Sequence, residues 1–113
     1  MKLTHEDRDE LTVLTLDGEL SRDEPERFRR AVLERLDARA RDFVLDLGGL
    51  DAIDSQGLES LLWLEEQCAD RLGQVRLARC NDTLRNVLRV TRLTDHFPAH
   101  DDVDAAIRSL GTS

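Results

Sequence analysis

The hydrophobic positions of the first fifty residues mark two strong strands and one weak one. In Leu11–Leu20, aliphatic and β-branched residues fall on both faces of an alternating pattern, which favours a strand that is covered on both sides. Asp42–Leu50 is a short apolar run that closes with Gly48 and Gly49, so we expect a buried central strand followed by a tight turn. A weaker strand is predicted around Leu3–Glu6, with "DRDE" as the turn of a hairpin.

Two long segments carry apolar residues at helical spacing. The first is predicted to form a helix over 24–39, after the capping candidates Ser21 and Asp23, with a single apolar stripe that packs on one side. The second helix is predicted over 56–72. Gly73 stops its pattern where the left-handed residue after a helix is expected.

The rest of the chain predicts one more strand and two shorter helices. Gln74–Cys80 alternates apolar residues with arginines, which favours a strand near an edge or half exposed. An amphipathic helix follows, with Asn81 or Asp82 as its cap. The stretch "TDHFPAH" is expected to be a loop or a very short strand, and a last helix over Val103–Leu110 is expected to end at Gly111.

The alternation of strands and helices predicts the fold class. Strands that alternate with helices at these spacings imply βαβ crossovers, and therefore an α/β fold with a mixed, mainly parallel sheet of four to five strands and about four helices. A chain of 113 residues fits one domain, here residues 1–113 with a core over about 8–110. In such sheets, function gathers at the carboxyl ends of the strands. The segment "GGLDAIDSQG" lies at one of those ends.

Charge and composition exclude several classes of function. The net charge of −8 would repel a phosphate backbone, and no basic cluster is present, so nucleic-acid binding is not expected. No apolar run approaches the roughly 20 residues that a membrane helix needs, and the N-terminus lacks the apolar region of a secretory signal. We expect a cytoplasmic protein. Cys68 and Cys80 lack CxxC spacing and are expected to be small buried hydrophobes.

The candidate catalytic and metal-binding groups are sparse. Asp46, Asp51 and Asp54 could serve a small carboxylate-dependent or metal-dependent hydrolase, but no histidine, lysine or nucleophile lies near them in sequence. His96 and His100 have the H-x3-H spacing of metal ligands, yet Pro98 between them argues against the helix that such a pair needs. Neither phosphate-binding glycine fingerprint occurs. We expect no enzyme activity, no metal and no cofactor.

Three segments together resemble a known family. "LTLDGEL", "FVLDLGGLDAIDSQGLESLL" and "VRLARCNDTLRNVLRVTRLTDHFP" resemble the STAS domain of bacterial anti-sigma factor antagonists, whose strand-loop-helix motif reads approximately D-S-S/T-G-L. The resemblance covers about residues 8–110. It implies a non-enzymatic α/β domain that docks a protein partner, such as an anti-sigma factor serine kinase, through the motif.

The resemblance also predicts which residues bind the partner. It assigns this role to the loop and helix start at Asp51, Asp54, Ser55, Gln56, Gly57 and Leu58. In the family the partner phosphorylates a hydroxyl in the motif, and Gln56, which has no hydroxyl, falls on the position taken as the acceptor. The usual phospho-switch is therefore expected to be absent there. Ser55 could accept a phosphoryl group, but we expect it to be the helix N-cap instead.

Several alternatives stay open at this stage. The partner could instead be a transporter ATPase, with the chain as the STAS subunit of a lipid or anion transport complex. Trp63 could complete an edge of the core or be an exposed anchor for a partner. Arg92 stands where the family often has glycine, so the third helix could end without a left-handed residue. The oligomeric state is not predicted.

Overall fold

The structure, a computed structural model, describes residues 1–110 and has the expected alternation of strands and helices. Its elements are β1 (Lys2–Arg8), β2 (Leu11–Leu20), α1 (Glu24–Asp37), β3 (Asp42–Ile53), α2 (Ser55–Asp70), β4 (Val75–Ala78), α3 (Asp82–Val90), β5 (Ala99–His100) and α4 (Val103–Leu110). The weak first strand is present and longer than predicted. The link before the last helix contains the very short strand β5. The expected end of that helix at Gly111 lies outside the described residues.

The five strands form one sheet in chain order. The order is β1-β2-β3-β4-β5, with β1 antiparallel to β2 and every other neighbouring pair parallel. The prediction of a mixed, mainly parallel sheet is confirmed. Because β2, β3 and β4 run in the same direction, the segments that follow β2 and β3 meet at one edge of the sheet.

Helices cover both faces of this sheet. On one face, α1, α2 and α3 enclose the main core, which contains the fully buried side chains of Phe28, Phe43, Leu45 and Leu61. On the other face, Ala106 of α4 packs against a smaller apolar cluster built on β2, β3 and β4. Among the described residues, no helix is long and apolar enough to cross a membrane.

The predicted turn at Gly48 and Gly49 is wrong, because both glycines lie inside β3. The strand continues to Ile53, and its pairing with β2 shifts register twice, between Thr15 and Asp17 and between Gly18 and Glu19. At the second shift Gly18 pairs with Leu50 and Glu19 with Ala52, which leaves Asp51 as the extra residue of a bulge. A β-carbon on either glycine would collide with the side chain of Arg79 or of Asp17.

The helix starts agree with the predicted positions to within one residue, but two of the caps differ. Asp23 precedes α1, yet neither its side chain nor that of Ser21 makes a capping hydrogen bond to the helix; Glu24 N donates to the backbone oxygen of Ser21 instead. Asn81 is the cap of α3, since its Oδ1 accepts from Leu84 N at 2.8 Å. The start of α2 is described below with the site.

Two helix ends correct the sequence-based expectations. After α2 the left-handed residue is Leu72 at φ 60°, and Gly73 has no room for a β-carbon against the backbone oxygen of Arg41. After α3, Arg92 adopts φ 62°, so the helix does end with a left-handed residue although no glycine is present. Both ends have the paired hydrogen bonds of a Schellman motif, for example Leu93 N to Leu88 O at 2.8 Å.

Three side chains are buried or half-buried as the apolar pattern predicted. Cys68 and Cys80 are free and buried, and burial raises the pKa of the Cys68 thiol to about 12 and raises that of Cys80 as well. Trp63 is half-buried and packs against the main core, so its first reading, as a residue that completes a core edge, is confirmed.

The strain at Arg92 provides a test of the helix end. Arg92→Gly should raise the free energy of unfolding by up to about 1 kcal/mol, because a left-handed residue with a β-carbon is strained and glycine is not. Arg89→Gly, within α3, is the matched control and should lower that free energy by about 1 kcal/mol. Urea denaturation measures both, and a loss of stability in Arg92→Gly would contradict the assignment.

Candidate functional site

The predicted docking segment is held in place by Asp54, the single residue between β3 and α2. Its Oδ1 accepts a hydrogen bond from Gly57 N at 2.8 Å, and its Oδ2 accepts one from Arg22 N at 3.1 Å. Its own backbone N–H donates to Leu20 O at 3.4 Å. One side chain therefore caps α2 and connects it to the segment that follows β2.

These hydrogen bonds change the acidity of Asp54. The N–H of Gly57 is the largest of the effects that lower the pKa of this carboxyl below its usual 3.8, and the N–H of Arg22 adds to it. Both donors favour the ionised carboxylate, as does its position at a helix N-terminus. The negative charge is thus part of the structure at neutral pH.

The six predicted partner-binding residues differ in what they can contact. Asp51, Ser55 and Gln56 are exposed, and we call these three the motif surface. Leu58 is half-buried and packs against the main core, and Asp54 is half-buried and engaged in capping. Gly57 is buried, and a β-carbon at this position would collide with Leu20 O and with the side chain of Ile53. Leu58, Asp54 and Gly57 position the surface, and the other three form it.

The expectation that Ser55 caps α2 is wrong. Asp54 has the extended backbone of an N-cap, φ −104° and ψ −175°, and its side chain accepts from the third helical residue. Ser55 is the first residue of the helix, and its side chain is exposed. The capping role expected of Ser55, which argued against its phosphorylation, belongs to Asp54.

The three carboxylates considered for catalysis do not form one cluster of interacting groups, and two of them are engaged in other contacts. Asp46 accepts from Gly48 N at 3.2 Å and forms an ion pair with Arg79, with 3.4 Å between Oδ1 and Nε. Asp54 is the cap of α2, and Asp51 is exposed at the bulge. In residues 1–110 no group of three or more His, Cys, Asp or Glu side chains is placed to hold a metal ion. His96 Nδ1 lies 2.9 Å from Glu65 Oε1, and His100 belongs to β5.

The sequence did not predict a cleft that lies between Gln56 and the start of α1. The first turns of α1 and α2 enclose a volume of about 340 Å³, with Arg22 and Arg29 among its walls. It is also lined by Asp23, Glu26 and Glu59, so charges of both signs face it. The signal that could have found it is the parallel order of β2 and β3, which brings the residues after each strand together.

The site corresponds to a known domain family. The family model described as "Mlab, STAS domain" matches residues 3–99. The chain belongs to the STAS domain family. The curated relative named "Putative anti-sigma factor antagonist BtrV", from Bordetella bronchiseptica, is 28% identical over 113 residues, which is 100% of this chain and 97% of that protein. The resemblance of the three sequence segments to a STAS domain is confirmed, and over its whole length the chain is similar to a protein named as a putative anti-sigma factor antagonist.

Solved structures share the fold of this STAS domain. A structure titled as a putative anti-sigma factor antagonist from Thermotoga maritima has a TM-score of 0.89 at 20% identity, over 96% of this chain and 94% of that one. The Bacillus cell fate determinant SpoIIAA in its phosphorylated form has a TM-score of 0.76 at 20% identity, over 96% and 99%. At these identities the likeness establishes the fold alone.

The lowered pKa of Asp54 predicts how its contribution to stability depends on pH. The ionised carboxylate stabilises the fold fully above about pH 5, and this contribution is lost as the pH falls below 3.8 toward the lower pKa of the folded state. Asp54→Asn keeps an acceptor oxygen but does not titrate. The unfolding free energy of the native chain should exceed that of the variant at pH 7, and the difference should shrink as the pH falls below 3.8. A constant difference over this range, measured by urea denaturation, would contradict the capping geometry.

The tight packing of Gly57 predicts a second outcome. Gly57→Ala should lower the free energy of unfolding by about 1–3 kcal/mol, since the added methyl meets the backbone oxygen of Leu20, which cannot move aside easily. Ser55→Ala, two positions earlier on the exposed surface, should change it by no more than about 0.5 kcal/mol. Thermal and urea unfolding of both variants measure the contrast, and equal stabilities would show that the first turn of α2 packs differently.

Proposed function

We propose that this STAS domain is a non-enzymatic regulatory module that binds a protein partner through the motif surface. The observation that carries the proposal is the fixed presentation of Ser55 and Gln56, which are exposed on the first turn of a helix whose start is tied to β2 through Asp54. A surface held in one conformation loses little entropy when it is bound. Small, exposed polar groups on such a support suit protein recognition.

The contacts of Asp46 and Asp54 support a binding role over a hydrolytic one. A general acid needs a raised pKa, whereas the hydrogen bonds from Gly57 and Arg22 lower the pKa of Asp54. Asp46 is paired with Arg79, and a residue so paired is not free to activate water. We therefore favour the binding module over the small hydrolase.

The partner that the relatives' names suggest is an anti-sigma factor, and the resemblance adds that such partners can be serine kinases. The BtrV relative, of which this chain covers 97%, is named as a putative anti-sigma factor antagonist. A transporter ATPase is the second class of partner, and the capture experiment below distinguishes the two. The cytoplasmic location stays a prediction.

The control of binding is proposed to act at Ser55. Gln56 cannot accept a phosphoryl group, so a phospho-switch at that residue stays excluded by its chemistry. Ser55 is an exposed hydroxyl, released from the capping role that was expected of it. A phosphate there would add about −1.5 to −2 charges at a helix N-terminus, where backbone N–H groups tolerate them. The phosphorylated SpoIIAA structure supports the tolerance of this fold for the modification.

A capture experiment tests the surface. The native chain, immobilised, is exposed to lysate of the source organism beside Gln56→Arg, Ser55→Asp and the control Glu66→Arg, an exposed residue farther along α2. We expect one protein, identified by mass spectrometry as an anti-sigma factor kinase, on the native chain and the control but not on the two surface variants. Capture by all four chains would refute the site. Capture of a transport ATPase would move the chain to the transport class.

The proposed switch has its own test. Incubated with ATP and the captured kinase, the native chain should gain one phosphate on the Oγ of Ser55, with release of ADP. Ser55→Ala should gain none, while Gln56→Ala should still be modified. Intact-mass and peptide mass spectrometry measure this. An unmodified native chain would contradict the switch at Ser55 and would support a domain that binds its partner constitutively, as the lack of a hydroxyl on Gln56 suggests.

A further inference from the structure

A groove of about 100 Å³ lies beside the motif surface, between the end of β3 and the first turns of α3. It follows from the lengths of the strands. β4 pairs with β3 only as far as Asp46 and Ala78, while β3 continues to Ile53 alongside β2. In the described part of the chain no strand covers the β4 side of this overhang, and α3 borders it instead.

The walls of the groove are largely apolar and firmly held. The apolar side chains that line it are Leu50, Ala52, Ile53, Leu84 and Val87. Leu50 and Leu84 belong to the main core and are 2% and 3% exposed. Asn81 fixes the two sides together, because its Nδ2 donates to Leu50 O at 3.0 Å while its Oδ1 caps α3. These contacts hold the end of β3 against the start of α3.

The size of the groove limits what it can hold. A buried cavity of about 150 Å³ in another protein accommodates benzene, so a volume of about 100 Å³ suits an aliphatic group such as the side chain of valine or leucine. Ala52 is exposed and Ile53 and Val87 are half-buried, so apolar surface is open to solvent here. Its burial under an aliphatic side chain is favourable.

The charge around the mouth is negative. Asp51 lines the groove, and Asp82 lies between its lining residues Asn81 and Thr83. Both carboxylates are exposed, and within residues 1–110 neither has a hydrogen bond or ion pair from its side chain. The cation of Arg85 is engaged elsewhere, with Cys80 O at 3.2 Å and Asp101 at 3.8 Å. An occupant with basic residues would complement this mouth.

We propose that this groove binds an aliphatic side chain of a partner protein, from a segment that carries lysine or arginine on both sides of that residue. The inference deepens the proposed function by naming the chemistry of the partner segment that meets β3 and α3. It extends the contact from the motif surface to α3 through Asp51, which belongs to both. Its test uses peptides, so that it does not depend on capture of the whole partner.

The peptide test uses the full chain labelled with ¹⁵N and observed by two-dimensional NMR at low salt. Ac-Lys-Leu-Lys-NH2 should bind in the millimolar range, with saturable shifts of the amides of Thr83, Leu84 and Val87. Ac-Lys-Ser-Lys-NH2 lacks the aliphatic group and should produce no saturable shifts there. Ac-Glu-Leu-Glu-NH2 should bind more weakly than the lysine peptide. Equal responses to leucine and serine, or no saturation with the first peptide, would overturn the proposal.

Matched variants locate the peptide. Thr83→Trp fills the groove from an exposed position of α3 and should abolish the shifts of the lysine-leucine peptide, while Asn86→Trp, exposed on the same helix but outside the groove, should preserve them. Asp51→Asn should weaken binding about two- to fivefold, and Asp104→Asn, an exposed carboxylate on α4, should not. Binding that survives Thr83→Trp in a folded chain would overturn the site.

Two further outcomes separate the possible occupants and the two proposals. Two exposed aliphatic residues of this chain lie next to an arginine, Leu72 beside Arg71 and Val90 beside Arg89, and Leu72 is the more exposed of the two at 89%. Concentration-dependent association in sedimentation that Leu72→Ser abolishes would mean that a second copy fills the groove, which would overturn the proposal. If the peptide binds but the Gln56→Arg variant still captures the partner, the groove is supported as a binding site and the motif surface is refuted.

Discussion

The hydrogen bonds accepted by the Asp54 carboxylate hold the start of α2 and the segment after β2 in place, and the arrangement of the motif surface depends on them. The carboxylate accepts from the first turn of α2 through Gly57 and from the segment after β2 through Arg22, which lies 32 residues before Asp54 in sequence. Because it is the only residue between β3 and α2, the helix begins directly against the sheet. The exposure of Ser55 and Gln56 and the cleft beside Arg29 both follow from that position.

The sequence predicted the layers of the fold because each element has a clear apolar period. It failed where that period breaks. The two bulges in β3 shift the alternation between Asp46 and Gly49 and again at Asp51. A strand that continues to Ile53 therefore looks in sequence like a strand followed by a turn. The left-handed residues Leu72 and Arg92 were missed for a related reason. Neither residue type favours that backbone, which accompanies the paired hydrogen bonds that end each helix.

The sequence predicted which segment contains the candidate site, but it did not predict which residues of that segment are exposed. Asp54 and Ser55 are both good capping residues, and only the extended backbone of Asp54 decides which of them caps α2. Gly57 looks like part of a motif in sequence, whereas its burial against Leu20 and Ile53 shows that it serves packing. The α1 side of the cleft and the α3 side of the groove come from distant segments, which no local pattern connects.

The one-residue connection between β3 and α2 limits the ways in which this domain could be switched. A switch that works by shape needs an element with two stable arrangements, and a helix that starts one residue after a central strand has no loop in which to store the second. A charge added at Ser55 would act where it is placed. The domain is therefore suited to control by steric and electrostatic occlusion of the partner's binding surface. In such control the partner is bound or released while the fold of the domain does not change.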